Sequence, residues 1–190
     1  MKRIIAFGGS NSKASINQQL ATLAADMIKE AEVTIVNLRD YPLPLYGIDH
    51  EKEIGIPEEA HRLKALFDAH DGFVISLAEH NSSLAVAFKN AIDWMSRIHM
   101  QLFDQKPIVL LSTSPGPGGG RGALAHGEKV LSGYLAGKIV GTMAVPKYYD
   151  QVELGEMGRS VISEVETRTG IEQLMKQLES AVLAPVPTHS

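Results

Sequence analysis

The sequence of 190 residues contains no cysteine. This absence excludes disulfide bonds, thiolate zinc sites and a cysteine nucleophile. Long apolar runs are also missing, since the start, MKRIIAF, has only four apolar residues before Gly8. A signal-peptide core or a membrane-spanning helix needs a longer run. We therefore expect a cytoplasmic protein without a membrane partner.

Positive charge is scarce as well. The net charge is -4, and the Lys and Arg residues are scattered without a basic block, so we expect no nucleic-acid partner. The seven histidines show no ligand spacing such as H-x-x-x-H, and we expect no metal site. The length suits one well-buried core. We therefore predict a single domain over residues 1–183, followed by a flexible tail over residues 184–190.

Five short apolar runs predict β-strands at 3–7, 33–38, 72–77, 107–113 and 138–145. Most are continuously apolar, which is typical of parallel strands covered on both faces. Apolar residues at spacings of three and four predict the intervening helices over 16–28, 57–70, 85–98, 123–135 and 171–182. Alternating strands and helices indicate an α/β fold: a flavodoxin-like, doubly wound, five-stranded parallel sheet of order 2-1-3-4-5.

Three loops rich in Gly, Ser and Asn follow the first, third and fourth predicted strands, at 8–16, 78–84 and 114–122. In such a sheet, ligands bind beyond the carboxyl ends of the strands, where the strand order reverses. The first loop leads into a helix that begins near Ser15 or Ile16, whose free N–H groups can bind an anion. The segment therefore predicts a phosphate site without a P-loop motif. The alternative is that Ser15 is only a helix cap.

Two other motifs are weaker. GGSNS approaches the nucleophile elbow G-x-S-x-G, which would make Ser10 the nucleophile of a serine hydrolase with His80 as its base. Ser12 stands where the motif requires its last glycine. GGGRGA, at 118–123, fits a dinucleotide fingerprint, but it follows the fourth strand and no acid lies about twenty residues further on.

The predicted helix over 85–98 is apolar around most of its circumference. One face must meet the sheet, and the other needs a second cover. Two covers remain open: the long loop 40–56 of the same chain, or a subunit interface that includes Trp94.

Three segments resemble the signature motifs of a known family. GGSNSKASIN (8–17), AEHNSSLAVAFKNAIDWMSR (78–97) and STSPGPGGGRGA (112–123) are similar to segments of the NAD(P)H-dependent FMN reductases, which include quinone, azo-dye and chromate reductases. YPLPLY (41–46) is similar to the family's Pro-Leu-Pro segment. The resemblance extends from Lys2 to about Val145, and FKNAIDWMSR is its most specific part.

The resemblance implies noncovalent FMN, held by residues at the three loops. The residues that it implies for the phosphate are Ser10, Ser12, Ser15, Ile16 and Asn17. Those for the isoalloxazine edge and the ribityl chain are Ala78, Glu79, His80 and Asn81, and those for the pyrimidine side are Ser114 and Gly116. Ser12, Ala78 and His80 stand where the family has Arg, Pro and Tyr.

The implied activity is hydride transfer from NAD(P)H, as co-substrate, to FMN and on to a small acceptor such as a quinone. No protein acid or base is required, so we predict no catalytic residue. The alternative is an FMN-binding electron-transfer protein without enzymatic activity. No loop shows an arginine cluster that would read the 2′-phosphate of NADPH. The resemblance also implies a homodimer or homotetramer through helix 85–98.

Overall fold

The structure is a computed structural model that describes residues 1–155 and 160–184. Its centre is a parallel sheet of five strands. All strands of the described residues, including two short hairpins outside this sheet, are in chain order β1 (Arg3–Gly9), β2 (Glu32–Ile35), β3 (Gly72–Leu77), β4 (Glu79–His80), β5 (Ser83–Leu84), β6 (Pro107–Thr113), β7 (Lys138–Val145), β8 (Val152–Leu154) and β9 (Ser160–Ile162). The sheet order is β2-β1-β3-β6-β7. This confirms the predicted order 2-1-3-4-5, because these five strands are the predicted ones.

Helices cover both faces of the sheet. They are α1 (Ile16–Ala25), α2 (Ile48–Ile54), α3 (Glu58–Ala69), α4 (Val86–Ile98), α5 (Arg121–Ser132), α6 (Tyr148–Gln151) and α7 (Val165–Leu183). Alternate residues of one strand enter different clusters: Phe73 and Ile75 pack with α3, α4 and α5, whereas Val74 packs with α1 and α7. Burial on both faces explains why the strands read as unbroken apolar runs.

Several boundaries differ from the predicted ones. The second strand ends at Ile35 because a 3₁₀ turn follows at Leu38–Asp40, where the Asn37 side chain accepts the Arg39 N–H at 3.0 Å. The fourth helix pattern, predicted over 123–135, begins at Arg121 and ends at Ser132. The last helix begins at Val165, not at 171, because Glu164 caps it by accepting the Thr167 N–H.

The predicted loops also contain regular structure. Segment 40–56 holds α2, and segment 78–84 is the hairpin β4–β5. The single domain over 1–183 remains a prediction, and residues 185–190 of the predicted tail lie outside the described residues. Among the helices of the described ranges, none is long and apolar enough to cross a membrane.

The second face of α4 is covered by the chain itself. Trp94 and Met95 are 0% and 1% exposed. The Trp94 indole donates a hydrogen bond to the Pro44 carbonyl at 2.7 Å, and Tyr46 packs edge-on against the indole, with centroids 5.0 Å apart. Of the two covers considered, the loop is the one that contacts Trp94. The expectation that Trp94 lies at a subunit contact is therefore wrong, and the argument that it needs a partner fails.

Candidate functional site at the carboxyl edge of the sheet

Asn17 joins three elements at the edge where the strand order reverses. Its side-chain oxygen accepts hydrogen bonds from the Ser76 hydroxyl at 2.8 Å and from the Thr113 N–H at 3.0 Å. Its amide nitrogen donates to the Thr113 carbonyl at 3.1 Å. Ser76 lies in β3 and Thr113 ends β6, so one buried side chain fixes α1 against both strands. These hydrogen bonds of Asn17 bring the ends of β3 and β6 and the start of α1 together, as the predicted convergence of the loops requires.

The N-terminus of α1 presents backbone donors. Ser15 is its N-cap, and the Ser15 hydroxyl oxygen accepts the Gln18 N–H at 3.1 Å. For the N–H groups of Ile16 and Asn17, no acceptor is found among the described residues. Ser15 is thus a cap, as the alternative interpretation held, and the N–H groups of Ile16 and Asn17 are available to an anion. For Asn17 the group left to bind a ligand is its backbone N–H, since its side chain is engaged.

The first loop is shaped by its own serines and by a close approach of backbones. The Ser10 hydroxyl accepts the Ser12 N–H at 3.1 Å, and the Ser12 hydroxyl accepts the Ala14 N–H at 3.3 Å. A Cβ at Gly8 would lie 2.6 Å from the Gln18 Cα, so only glycine lets β1 pass α1 at this distance. Ser10 is buried, whereas Ser12 is exposed at the loop tip.

The hydrolase alternative lacks its central contact. A serine nucleophile needs a base within hydrogen-bond reach. Within the part of the chain that the structure describes, no hydrogen bond joins Ser10 to His80. The Ser10 hydroxyl instead shapes the loop.

The second loop is a tight hairpin docked on α5. Asn81 and Ser82 have φ of 51° and 60°, as a two-residue type I′ turn requires. The Glu79 carboxylate accepts the Ala123 N–H at 2.8 Å in the first turn of α5. A Cβ at Gly122 would lie 2.7 Å from that carboxylate. Glu79 therefore holds the hairpin in place, and exposed His80 lies at its outer end.

The third loop is tied to the segment after β7. Gly116 accepts the Lys147 N–H at 2.9 Å, and Ser114 accepts the Tyr148 N–H at 3.0 Å, both through their carbonyls. The Tyr148 hydroxyl donates to Gln19 of α1 at 2.9 Å. Burial, with Tyr149 as the smaller cause, raises the pKa of Tyr148 to about 12. Nothing in the sequence PKYY (146–149) indicates this contact with α1.

A cavity of about 700 Å³ opens beside the first loop. It is lined by Asn11, by Leu38, Arg39 and residues 41–45, and by Val86, Ala87, Asn90 and Ala91 of the α4 region. Its volume lies within the range of about 300–1,000 Å³ that is usual for small-molecule sites. Residues from three separate elements form it, so no single motif could have predicted it.

Fold and edge together define a flavodoxin-like protein with a ligand site at the strand-order reversal. The chain matches the model of the NADPH-dependent FMN reductases over residues 2–150. It therefore belongs to that family, as its motifs indicated. It is an oxidoreductase with FMN as cofactor and NAD(P)H as electron donor.

Individual relatives agree with this assignment. The quinone reductase of Escherichia coli K12 is 33% identical over 131 residues, which are 68% of this chain and 69% of the relative. The NADPH azoreductase of Bacillus sp. OY1-2 is 27% identical over 186 residues, 90% and 99% of the two chains. A flavoenzyme NAD(P)H:acceptor oxidoreductase from Paracoccus denitrificans shares the fold, with a TM-score of 0.73, 24% identity and coverage of 96% and 97%.

The residues present fit FMN. A terminal phosphate needs several donors and little steric obstruction. The N–H groups of Ile16 and Asn17 supply donors at the start of α1 without a charged residue at position 12. Exposed Lys13 adds a positive charge to the same loop.

Proposed function

We propose that this chain is a quinone reductase, in which electrons from NAD(P)H pass through bound FMN to a small quinone-like acceptor. The observation that carries the proposal is the N-terminus of α1, where two backbone N–H groups are free at the strand-order reversal. The name of the E. coli relative supports the choice of acceptor.

Each part of the edge has a task in this proposal. The Ile16 and Asn17 N–H groups and the Ser15 hydroxyl bind the phosphate, with Ser10 and Ser12 shaping their loop. The backbone of residues 78–81 lies along the isoalloxazine edge and the ribityl chain, held by the Glu79 contact to α5. Ser114 and Gly116 close the pyrimidine side. FMN supplies the hydride- and electron-accepting chemistry, and the protein supplies binding and orientation.

Cofactor binding and turnover test the proposal separately. Calorimetric titration with FMN and with FAD should show tighter binding of FMN, because the first loop is suited to a terminal phosphate. Equal affinity for the two flavins, or none for FMN, contradicts the site. The FMN-loaded protein should then oxidise NAD(P)H faster when an uncharged quinone is added. If it binds FMN and oxidises no NAD(P)H, it is an electron-transfer protein instead.

We also propose a homodimer through the outer surface at the start of α4. With Trp94 covered, the apolar side chains left there are Leu45, Ile48 and Val86, which are 73%, 53% and 64% exposed. Leu45 and Val86 line the same cavity, and exposed apolar side chains that lie together are typical of interaction surfaces. Light scattering should show a dimer for the wild type and a monomer for Val86→Glu.

Val165→Glu is the matched control for the dimer. Val165 is 60% exposed and is the first residue of α7, as Val86 is of α4. Glutamate is favourable at the first turn of either helix, so the two variants differ only in their surroundings. A Val86→Glu protein that stays dimeric moves the interface away from α4, and a wild type that is monomeric at micromolar concentration excludes it.

A further inference from the structure

Two arginines that are far apart in the sequence lie at the cavity, one in its lining and the other on the ring of a tyrosine that lines it. Arg39 lines the cavity together with Tyr41. Arg62, on α3, holds its guanidinium over the Tyr41 ring at 5.2 Å from the centroid. This cation–π contact fixes the direction of the Arg62 side chain. Since 23 positions separate the two arginines, a search for an arginine cluster within one loop misses them.

The charge of this region is not neutralised. Neither Arg39 nor Arg62 takes part in any ion pair formed within residues 1–155 and 160–184. None of the side chains that line the cavity is acidic. Glu51, which hydrogen-bonds to nearby Tyr46, is paired with Arg97 at 2.9 Å. The cavity lining thus carries the charge of Arg39 and no acidic side chain, and the Arg62 guanidinium lies on the ring of Tyr41, another lining residue.

The walls of the cavity are rigidly held. Asn90 accepts the Tyr46 N–H at 2.8 Å and donates to the Pro44 carbonyl at 2.9 Å, and so fixes segment 41–46 on α4. Arg39 lies within the Asn37-capped turn, Leu38–Asp40, whose Leu38 is buried in the core. A preorganised guanidinium in such surroundings binds phosphate in a fixed orientation.

The position of the cavity indicates which anion it receives. Its lining includes Asn11 of the first loop and Val86 and Ala87, directly after the hairpin that borders the flavin site. A ligand in it therefore reaches from the flavin site to Arg39. NADPH has this form: its nicotinamide must meet the flavin, and its far end carries an adenosine 2′-phosphate that NADH lacks.

We propose that the cavity binds the adenosine end of the electron donor and that Arg39 and Arg62 select NADPH over NADH by binding its 2′-phosphate. The inference rests on the proposed oxidoreductase function and adds the residues that choose the donor. The feature that the two arginines would recognise is an anionic group on an aromatic ligand. A sulfonated aromatic acceptor has this feature as well, and the experiment distinguishes it from NADPH.

Binding is measured first, on the FMN-loaded protein, by calorimetry with adenosine 2′,5′-bisphosphate and adenosine 5′-monophosphate. The wild type should prefer the bisphosphate. Arg39→Gln with Arg62→Gln should reduce bisphosphate affinity by roughly tenfold or more, as expected for lost charge-assisted hydrogen bonds, and leave the monophosphate within twofold. Arg62→Lys in place of Arg62→Gln keeps the positive charge and should restore part of the preference for the bisphosphate. Arg168→Gln, an exposed arginine on α7, is the control and should change neither affinity.

Kinetics supply the second readout. With an uncharged quinone, the double variant should lose roughly tenfold or more in kcat/KM for NADPH and less than twofold for NADH. An unchanged preference for the bisphosphate and for NADPH in the double variant overturns the proposal. So does a loss that appears only with a sulfonated acceptor. A wild type that oxidises neither nucleotide refutes the oxidoreductase function, while the binding measurement still decides the role of the arginines.

Discussion

Two buried asparagines organise neighbouring parts of the carboxyl edge in different ways. Asn17 joins α1 to β3 and β6, and the groups that it leaves free for a ligand are backbone N–H groups. Asn90 holds segment 41–46 on α4, and the groups beside it that can bind a ligand are side chains, those of Arg39 and Arg62. In our proposals, the first region binds its ligand through the main chain and the second through charged side chains.

This difference explains why the two regions carry different kinds of sequence signal. Backbone donors require small residues and a helix start, which appear as a contiguous Gly- and Ser-rich segment. Side-chain donors can come from any element that the fold brings near. The first region should therefore respond to changes in backbone geometry, and the second to changes in charge.

The largest effect is expected at Gly8. Gly8→Ala would place a Cβ 2.6 Å from the Gln18 Cα, against backbone that cannot move aside. We expect a loss of on the order of 3 kcal/mol or more in the free energy of unfolding, and loss of FMN binding. Urea denaturation measures the first and flavin absorbance the second. Gly118→Ala is the control for stability, because a Cβ there meets nothing within 4 Å; equal stability of the two variants would contradict the close approach of β1 and α1.

The second largest effect is expected for Asn17→Ala. It removes the acceptor of the Ser76 hydroxyl and of the Thr113 N–H in a buried site, and we expect a loss of about 3 kcal/mol in the free energy of unfolding. FMN affinity should fall with it, since the start of α1 loses its anchor. Ser15→Ala, which removes the cap and leaves the contacts of Asn17 with Ser76 and Thr113, should cost about 1 kcal/mol in the free energy of unfolding. A stable Asn17→Ala protein with weak FMN binding would instead make this side chain a direct phosphate ligand.

Asn90→Ala tests the second region. It leaves the Tyr46 N–H without its acceptor and frees segment 41–46, so we expect a loss of about 2 kcal/mol in the free energy of unfolding. The preference for adenosine 2′,5′-bisphosphate should weaken, while FMN affinity stays within twofold. Calorimetry with both ligands checks this. A large fall in FMN affinity would show that the two regions are not separate.

The smallest effect concerns Tyr148 and high pH. Its folded-state pKa of about 12 lies above the ordinary value of 10.0, so the protein favours the neutral phenol. The associated stability is present below pH 10 and is lost as the pH rises from 10 towards 12. We set this contribution at about 1 kcal/mol, below what the full shift in pKa would give. Denaturation at pH 8 to 11 should show a shallower decline for Tyr148→Phe than for the wild type, and parallel curves would contradict this role.

The sequence pattern of helix α4 did not by itself identify what covers its second face. Its apolar circumference correctly indicated two covered faces, but the pattern did not distinguish a partner subunit from the chain's own loop. The contacts of Trp94 with Pro44 and Tyr46 made that choice. They depend on a loop that lies about fifty residues away in the sequence and contains a helix, α2, that was not predicted.

The sequence by itself determined the parallel sheet and its strand order, and it led to the proposed position of the flavin site. These properties follow from local patterns: continuous apolar runs, helical spacing and small residues at the ends of strands. Only the tertiary structure decided what each polar side chain does there. Ser15 became a cap, the side chain of Asn17 an anchor and Glu79 a support for the hairpin, because buried polar groups must find hydrogen-bond partners wherever the fold offers them. The contact of Arg62 with Tyr41, beside the cavity that Arg39 lines, was likewise decided by packing between elements, which no single stretch of sequence contains.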